Sequence, residues 1–447
     1  MYFKAILFSL ICFLVSANCI VHAEDWTRFR GTSATGVSDK AAPVNWSPTK
    51  NIKWSTELPG AGVSCPILVA DKVFVTCYSG YGLERSKPGN LEDLKRHLVC
   101  VNRSTGKIAW ERTVDAPTPE DKYSGMGVPE HGYASHTPVT DGKAIYAFLG
   151  KSGVHAYDLE GEKLWTAEVG QGSDDRRWGS ASSPILYDNL VVVPAISESG
   201  SIIALDKKTG KEVWKQSAGG LKNSWSTPLI VKVDDERSEL VIGVPYEVWG
   251  LNPKNGKMRW YFPIEGSSFY TSLSARDGII YGSVGGRGGG GSFAIKAGGK
   301  GDVSESHKVW TGGDQSTYAT PVVHDGKMFI ASRGIATAID IKNGEQIKRV
   351  RLESKKSDDS ESAAPAPRRR GPGGGDYSSP VVAKDKMYYI KRSGEMFVMS
   401  TGDEFEQIAV NRVTAEAEEF SASPAISEGQ IFIRSSKTLY CIEADEE

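Results

Sequence analysis

The stretch "IIALDKKTGKEVW", residues 202–214, decides the fold. It reads as a short apolar strand, a polar turn and a second strand that ends in Trp214. Asp206, Thr209 and Gly210 suit the turn, because Asp and Thr side chains hydrogen-bond nearby backbone and glycine tolerates a positive φ. The stretch therefore predicts two antiparallel strands with a large aromatic side chain on the outer one.

The same pattern recurs along the chain. The stretches "CVNRSTGKIAW", "AYDLEGEKLW", "GLNPKNGKMRW" and "AIKAGGKGDVSESHKVW" end in Trp110, Trp165, Trp260 and Trp310. Two later copies, "AIDIKNGEQIKRV" and "VMSTGDEFEQIAV", keep the strand and the turn without the tryptophan. The recurrence predicts a repeat protein in which each unit contributes the same pair of strands.

A second signature precedes each copy: Ser or Thr, one residue, proline, an apolar strand and a turn, as in "SSPILYDNLVVV". Its prolines are Pro66, Pro138, Pro184, Pro228, Pro321, Pro380 and Pro424, with Leu273 in the fifth unit. Most successive signatures are 44 to 48 residues apart, which is the period of a four-stranded propeller blade. Since no sustained helical period follows the N-terminal segment, the expected fold class is all-β.

Eight signatures predict an eight-bladed β-propeller with four-stranded blades. The last unit stops after three strands, whereas "NIKWSTELPG" near the N-terminus supplies a lone outer strand with Trp54. We expect this strand to complete the last blade beside residues 437–442, which closes the ring of blades and covers exposed edges. Large flat indole rings are expected to seal the joints between blades, at positions Trp54, Trp110, Trp165, Trp214, Trp260 and Trp310.

The N-terminal stretch "MYFKAILFSLICFLVSANCIVHA" reads as a secretory signal peptide cleaved after Ala23, because a lysine precedes an apolar run too short to span a membrane. The expected plan is a signal peptide over 1–23, an N-terminal strap over 24–45 and one propeller over 46–447. A Ser-, Pro- and Gly-rich insertion at about 354–375 is expected to be disordered. We expect an exported protein, periplasmic or extracellular, without a transmembrane span.

The amino-acid composition bears on the kind of partner that the protein binds. Lys plus Arg number 53 against 55 Asp plus Glu, and 39% of the residues are hydrophobic. This charge balance does not indicate a nucleic-acid surface. We expect a monomer whose partner is an envelope protein or a small or carbohydrate ligand.

Four cysteines follow the signal peptide: Cys65, Cys77, Cys100 and Cys441. Cys65 and Cys77 flank a tight turn at residues 71–72, so they are expected on neighbouring antiparallel strands. Either they form a disulfide in an oxidising compartment, or all four cysteines are small buried side chains. The sequence leaves both possibilities open.

Blades of the form Ala-x-Asp-x-x-Thr-Gly-x-x-x-Trp resemble those of the pyrroloquinoline quinone (PQQ) propeller superfamily, which includes quinoprotein alcohol dehydrogenases and the outer-membrane assembly protein BamB. The resemblance covers about residues 46–445, and "DWTRFRGTSATGVSD" looks like the strap before the first blade of such proteins. It implies either a protein-binding or ligand-binding propeller, or a PQQ-dependent dehydrogenase of alcohols or aldose sugars.

The dehydrogenases of this superfamily hold PQQ between a tryptophan and a ring of two adjacent cysteines, and they bind Ca²⁺ through a glutamate and an asparagine. This sequence has neither adjacent cysteines nor a Cys-x-x-Cys-His haem site. No catalytic residue, metal site or cofactor is therefore expected. We expect a non-catalytic envelope propeller, and the PQQ-dependent dehydrogenase with Ca²⁺ is the alternative.

Candidate binding residues stand just ahead of the inner strands, where the connecting loops gather at one mouth of the central channel. They are an aromatic residue in seven of the eight units and two arginines: Tyr133, Trp178, Trp225, Tyr270, Tyr318, Tyr377, Phe420, Arg176 and Arg177. Such rings stack a flat or sugar-like ligand while charges orient it. The alternative is that each ring packs on its own blade and plugs a narrow channel. His131 and His136 stand in the same loops, without an identifiable third ligand for a metal.

Overall fold

The computed structural model describes residues 25–125, 127–286, 289–354 and 375–444. Its strands form eight sheets with four antiparallel strands in each, and two sheets carry a short fifth strand. The eight-bladed, almost wholly β propeller is confirmed. The predicted signal peptide over 1–23 lies outside the described residues, as does nearly all of the predicted insertion at 354–375.

Each of the first four blades runs from an innermost strand at the axis to an outermost strand at the rim. Blade 1 consists of Ile67–Val69, Lys72–Ser79, Lys95–Asn102 and Ile108–Asp115. Blade 2 consists of Val139–Thr140, Ala144–Phe148, Val154–Asp158 and Lys163–Ala167. Blade 3 consists of Ile185–Tyr187, Leu190–Val193, Ser201–Asp206 and Glu212–Ser217. Blade 4 consists of Leu229–Lys232, Ser238–Val244, Glu247–Leu251 and Met258–Pro263.

The remaining blades follow the same order. Blade 5 consists of Ser274–Arg276, Ile279–Val284, Gly291–Lys296 and Lys308–Gly312. Blade 6 consists of Val322–His324, Lys327–Ser332, Ile335–Asp340 and Gln346–Arg351. Blade 7 consists of Val381–Ala383, Lys386–Ile390, Met396–Ser400 and Gln407–Asn411. Blade 8 consists of Ala425–Ser427, Gln430–Arg434, Thr438–Ile442 and the N-terminal Ile52–Glu57.

Helical structure is limited to single turns between strands. In the described chain these are two α-helical turns and three 3₁₀ turns: Val128–His131, Ile196–Ser199, Leu91–Asp93, Gly150–Ser152 and Gly219–Leu221. Two short strands pair in parallel with a strand of a blade. Val37–Ser38 pairs with Val381–Ala383 of blade 7, and Gly301–Asp302 pairs with Met258–Pro263 of blade 4.

The predicted closure of the propeller is confirmed. Ile52–Glu57 pairs antiparallel with Thr438–Ile442, and Trp54 stands opposite Cys441. The two ends of the propeller thus share one sheet, because the beginning of the chain supplies the outer strand that its end lacks. This pairing covers the edge that Thr438–Ile442 would otherwise expose.

The repeated tryptophan of one blade packs on the repeated glycine in the turn of the next blade. Trp165 donates its indole N–H to the Lys207 carbonyl of the next blade over 2.8 Å. Its ring lies on Gly210, which has a φ of +69°, and a methyl group there would stand 2.5 Å from the ring. Glycine is therefore required both by the backbone conformation and by the approach of the ring.

The same contact seals four further joints. Trp54, Trp110, Trp214 and Trp310 each donate to a carbonyl in the turn of the following blade, over 2.8 to 3.0 Å. Their rings lie on Gly106, Gly161, Gly256 and Gly344.

Trp260 departs from this arrangement. Its indole N–H donates to Glu239 Oε2 within its own blade over 2.6 Å, and its side chain is wholly buried. The physical reason is that blade 5 has a longer connection in place of the tight turn, and Gly301–Asp302 of that connection pairs with the outer strand of blade 4.

The strap crosses the end of the channel opposite the loops that precede the inner strands. Trp26 exchanges backbone hydrogen bonds with Leu68 of blade 1, and the Thr27 carbonyl accepts from Thr140 of blade 2. Farther along, the Gly36 carbonyl accepts from Val382 of blade 7. Because the strap contacts blades on several sides, it closes this end of the channel.

Candidate functional site

A cavity of about 790 Å³ occupies the axis of the propeller. We call it the funnel: it opens among the loops that precede the inner strands, and the strap closes its far end. Each of the eight blades contributes residues to its wall from the segment entering the inner strand. The channel is therefore neither plugged by the blades' own side chains nor open from end to end.

A closed circuit of hydrogen bonds surrounds the lower part of the funnel. It is formed by the residue before each signature proline, or before Leu273 in blade 5. In each case the backbone N–H donates to the side chain of the equivalent residue in the next blade. We call these residues the axial ring: Cys65, Thr137, Ser183, Thr227, Ser272, Thr320, Ser379 and Ser423.

The axial ring has seven hydroxyls and one thiol. The seven contacts to hydroxyl oxygens measure 2.8 to 3.0 Å, and the eighth, from Ser423 N to Cys65 Sγ, measures 3.2 Å. This circuit explains why seven of the eight signatures place Ser or Thr directly before the proline or Leu273, one position later than the hydroxyl that we predicted to be the repeated one. The hydroxyl satisfies a buried amide of the neighbouring blade and holds adjacent inner strands in register.

One layer nearer the mouth, the residue two positions before each member of the axial ring also lines the funnel. In extended backbone, residues two apart point the same way. Blades 4 to 7 place an aromatic residue at this level and the other four blades place a small one: Trp225, Tyr270, Tyr318 and Tyr377, opposite Ser421, Val63, Ser135 and Ala181. The funnel is consequently aromatic on one side and open on the other.

Trp178 of blade 3 extends this row, so that five rings form an aromatic arc: Trp178, Trp225, Tyr270, Tyr318 and Tyr377. Neighbouring ring centroids along the arc are 4.6 to 5.5 Å apart. Trp225 and Tyr270 are stacked with an interplanar angle of 21°. These contacts fix the rings as one surface before any ligand arrives.

Arg176 is held over one end of the arc. Its guanidinium lies 5.1 Å from the Trp178 ring and Nη1 donates to the Tyr270 hydroxyl over 3.2 Å. Asp174 fixes the loop by accepting from the Arg176, Trp178 and Gly179 amides. Arg176 can therefore reach a ligand without losing its place on the tryptophan.

Three of the sequence-predicted residues lie elsewhere. Tyr133 is buried beside Tyr78, with ring centroids 5.3 Å apart, and donates to the Asp121 carbonyl. Phe420 is buried in the core between blades, and Arg177 is exposed beside the funnel without lining it. Phe420 stands three residues before the axial ring, an odd offset that points it the other way along extended backbone. Tyr133 directly follows the helical turn Val128–His131 and Gly132, whose φ is +68°, so the extended alternation does not reach it. The odd offset is a sequence signal for Phe420, whereas the direction of Tyr133 depends on the turn before it.

The strap supplies the floor of the funnel, which consists of Phe29 flanked by Arg28 and Arg30. Phe29 lines the cavity. Arg30 donates to the Pro380 and Pro321 carbonyls over 3.1 and 2.9 Å, and Arg28 donates to the Pro228 carbonyl over 3.2 Å. These carbonyls directly follow members of the axial ring, so the two guanidinium groups lie just beneath it.

One charged contact spans the mouth. Glu130, from the helical turn Val128–His131, accepts from Arg392 of blade 7 over 2.8 Å, and Arg392 also binds Glu419 over 2.8 Å. Glu130 is the one acidic residue among the described residues that line the funnel. The loop between blades 1 and 2 is therefore anchored on the far side of the opening.

The two histidines have separate places. His131 lines the funnel and contacts Ser135 Oγ and the Trp178 carbonyl, each over 2.6 Å. His136 is buried behind the wall, where Nδ1 donates to the Ser182 carbonyl over 2.8 Å. Burial lowers the pKa of both imidazoles, so they are neutral near pH 7.

Behind this wall lies a buried polar cluster that the sequence did not reveal. Arg96 binds Glu120 over 2.5 Å and Lys151 binds Asp121 over 3.2 Å. Ser180 contacts both Glu198 and His136. Burial raises the pKa of the Glu198 carboxyl to about 7. The residues of this cluster come from separate segments of blades 1 to 3, so no local sequence motif predicts it.

The cysteine question has a structural answer. Cys65, Cys77, Cys100 and Cys441 are all free and buried. Cys65 belongs to the axial ring, whereas Cys77 packs in the core shared by blades 1 and 8. The Cys65 and Cys77 side chains lie in different environments, and no disulfide joins them.

The funnel does not offer the donor set that calcium prefers. Ca²⁺ takes six to eight oxygen ligands, with carboxylates among them. The funnel lining holds hydroxyls and a single carboxylate, Glu130, which is engaged by Arg392. Within the described ranges, no group of three or more His, Cys, Asp and Glu side chains is placed to hold a metal. The aromatic arc suits a flat ring such as PQQ, but the described residues of the funnel do not provide the set of carboxylates that calcium would need beside it.

Fold and site together define the class: a tryptophan-docked, eight-bladed propeller of the type shared by BamB and the quinoprotein dehydrogenases, with a funnel on its axis. The family model described as outer membrane protein assembly factor BamB matches residues 97–350. The chain belongs to this family.

Curated relatives carry different activities. The chain is 26% identical over 206 residues to tetrathionate hydrolase from Acidithiobacillus ferrooxidans, covering 42% of this chain and 37% of that protein. It is 29% identical over 180 residues to the quinoprotein alcohol dehydrogenase PedH from Pseudomonas putida, covering 36% and 29%. It is 23% identical over 176 residues to BamB from Yersinia pestis, covering 38% of each. The matches span less than two fifths of these relatives' length.

Solved structures share the fold. BamB from Moraxella catarrhalis aligns with a TM-score of 0.56 at 13% identity, over 88% of this chain and 99% of that one. Quinohemoprotein alcohol dehydrogenase from Comamonas testosteroni aligns with a TM-score of 0.55 at 12% identity, over 95% and 81%. Across the described residues, no helix is long and apolar enough to cross a membrane.

Proposed function

We propose that the protein is a binding protein of the cell envelope that takes a flat or sugar-like small molecule into the funnel. The observation that carries this proposal is the aromatic arc on one side of a cavity that the strap closes at its far end. A cavity of about 790 Å³ has the size of a small-molecule site. The signal-like N-terminus and the family suggest the envelope.

The uneven distribution of aromatic and small residues around the funnel favours one orientation of the ligand. A flat molecule placed against Trp225 and Tyr270 buries one face on their rings, while the small residues opposite leave room for substituents. Arg176 and the hydroxyls of the axial ring supply polar contacts at the two ends. Apolar area binds the ligand, and the polar groups fix its direction.

Ligand screening with matched variants tests the proposal. Flat heterocycles and pyranosides are tested by thermal shift, and hits are titrated by calorimetry. We expect a ligand whose affinity falls at least tenfold in Tyr270→Leu and is unchanged in Tyr246→Leu, because Tyr246 is 59% exposed and does not line the funnel. A panel without a ligand, or equal losses in both variants, would count against the proposal.

A protein-binding scaffold is the second candidate, and membership of the BamB family favours it. BamB of Yersinia pestis is named as an outer membrane protein assembly factor. A photo-crosslinking side chain at Leu83, which is 42% exposed on the mouth side, would capture such a partner. Crosslinks to one assembly protein, lost when the loop is charged by Leu83→Glu, are the expected result of this candidate.

The PQQ-dependent dehydrogenase of alcohols or aldose sugars is the less supported alternative. The aromatic arc is compatible with a quinone ring, but the lining residues give calcium too few carboxylates and contain no adjacent cysteines. No catalytic residue is assigned. The protein is proposed to act by binding alone.

A further inference from the structure

Two arginines at the floor of the funnel, the buried Arg30 and the half-buried Arg28, have no acidic partner among the described residues. Arg30 is 3% exposed, and its guanidinium donates only to backbone carbonyls, as does that of the half-buried Arg28. No carboxylate forms an ion pair with either side chain among the described residues. The buried Nε atom of each also lacks a hydrogen-bond partner within the described chain.

Within the described ranges, no counter-ion balances the charge on these arginines. Burial lowers the pKa of both guanidinium groups to about 10, which leaves them protonated at neutral pH. Taking a cation out of water without a counter-ion is unfavourable, more so than burying a neutral polar group without a hydrogen bond. The floor therefore carries positive charge that no carboxylate in the described part of the chain neutralises.

Free hydroxyl donors surround this charge. A hydroxyl carries one donor and two acceptor positions. In the axial ring, the oxygens of Ser183, Thr227, Ser272, Thr320 and Ser379 accept an amide of the preceding blade. None of these five hydroxyls donates to a protein acceptor within the described residues, and all five line the funnel. Their hydrogens are available to a ligand.

The three features fall on the same side of the funnel. The free hydroxyls belong to blades 3 to 7, which also carry the aromatic arc. The carbonyls that hold Arg28 and Arg30 belong to blades 4, 6 and 7. Arg176 and Arg333 add positive charge nearer the mouth, where Glu130 is already paired with Arg392.

We propose, building on the small-molecule function above, that the funnel selects planar organic anions, with the ligand's carboxylate or sulfonate against the axial-ring hydroxyls and its flat body on the aromatic arc. The hydroxyls donate directly to the anion, and the two arginines stabilise its charge from beneath. Since the counter-charge lies in a region of low dielectric, it is worth more than at the surface.

Calorimetry with an isosteric pair of probes tests this inference. The full-length protein is titrated with 2-naphthoate and with 2-naphthamide, which share a ring and differ in charge. We expect naphthoate to bind at least tenfold more tightly, a difference of about 1.4 kcal/mol. In Arg28→Gln, whose amide can still donate to the Pro228 carbonyl, this ratio is expected to fall at least threefold while the affinity for naphthamide is kept.

The outcomes separate the inference from the function on which it rests. Equal affinity for the two probes in the wild type would overturn the inference and leave the funnel as a site for flat molecules. Absence of binding by either probe at millimolar concentration would overturn both. Should Arg28→Gln fail to fold, Ser272→Ala removes one free donor, and an unchanged probe ratio in both Ser272→Ala and the doubly altered Ser272→Ala/Ser379→Ala would contradict the proposed contact.

Discussion

The backbone N–H of Ser423 donates to Cys65 Sγ over 3.2 Å, and this contact closes the axial ring between the last blade and the first. Seven other joints use a hydroxyl oxygen at the same place. The cysteine thus acts as a hydrogen-bond acceptor at the joint between blade 8 and blade 1.

Replacing Cys65 tests this role. Cys65→Ala leaves the Ser423 amide without a partner and is expected to lower the free energy of unfolding by about 1–3 kcal/mol. Cys65→Ser supplies an eighth hydroxyl and is expected to cost less than half as much. Urea denaturation of both variants makes the comparison, and equal losses would show that the thiol contributes only its volume.

Gly210 and Trp165 provide a test of the blade joint. Gly210→Ala combines a positive φ with a methyl group 2.5 Å from the indole ring, so we expect a loss of about 2–4 kcal/mol in stability. Gly326→Ala is the matched control, since Gly326 has a φ of +74° and no atom within 4 Å of an added methyl. It is expected to cost about 1 kcal/mol. Similar losses in thermal or chemical unfolding would remove the steric argument.

Glu198 is expected to make stability depend on pH. The folded chain holds the Glu198 proton to about pH 7, whereas the unfolded chain releases it near pH 4.5. Stability must therefore fall as pH rises between these values, by up to about 3 kcal/mol. Relative to Glu198→Gln, wild-type stability is expected to decline from pH 5 to pH 8. Parallel curves would contradict this, and the exposed Glu212→Gln should follow the wild type.

The Glu130–Arg392 ion pair is expected to hold the mouth loop. In Arg392→Gln, the amides of residues 127–132 should exchange with deuterium several times faster, because the loop loses its anchor on blade 7. Lys348→Gln, which removes the exposed pair with Glu404, serves as the control and should leave these amides unchanged. Unaltered exchange in Arg392→Gln would mean that packing alone holds the loop.

The repeat period was enough to predict the fold. Period, turn residues and tryptophans all depend on local sequence, so they predicted the blades and even the closure by the strand containing Trp54. Trp260 differs because its partner depends on the unusual length of the following connection, which changes what the ring meets.

The site was predicted in outline only. Five of the seven aromatics line the funnel, and four of these stand two residues before the axial ring. Phe420 does not line it because its odd offset points it the other way along extended backbone, and Tyr133 does not because the helical turn Val128–His131 precedes it. The places of Arg28 and Arg30 depend on the path of the strap across several blades. Such a path is set by tertiary contacts and leaves no periodic trace in the sequence.

A calorimetric titration of the protein with PQQ, in the presence of Ca²⁺ and separately of a chelator, shows whether the funnel acts by binding alone when it is accompanied by an assay of alcohol-dependent dye reduction. A funnel that works by binding, without a calcium site, predicts that calcium changes the isotherm by less than about twofold and that no dye is reduced. Binding that tightens tenfold or more with calcium and supports dye reduction by an alcohol or an aldose sugar would contradict a purely binding role and establish a quinoprotein dehydrogenase.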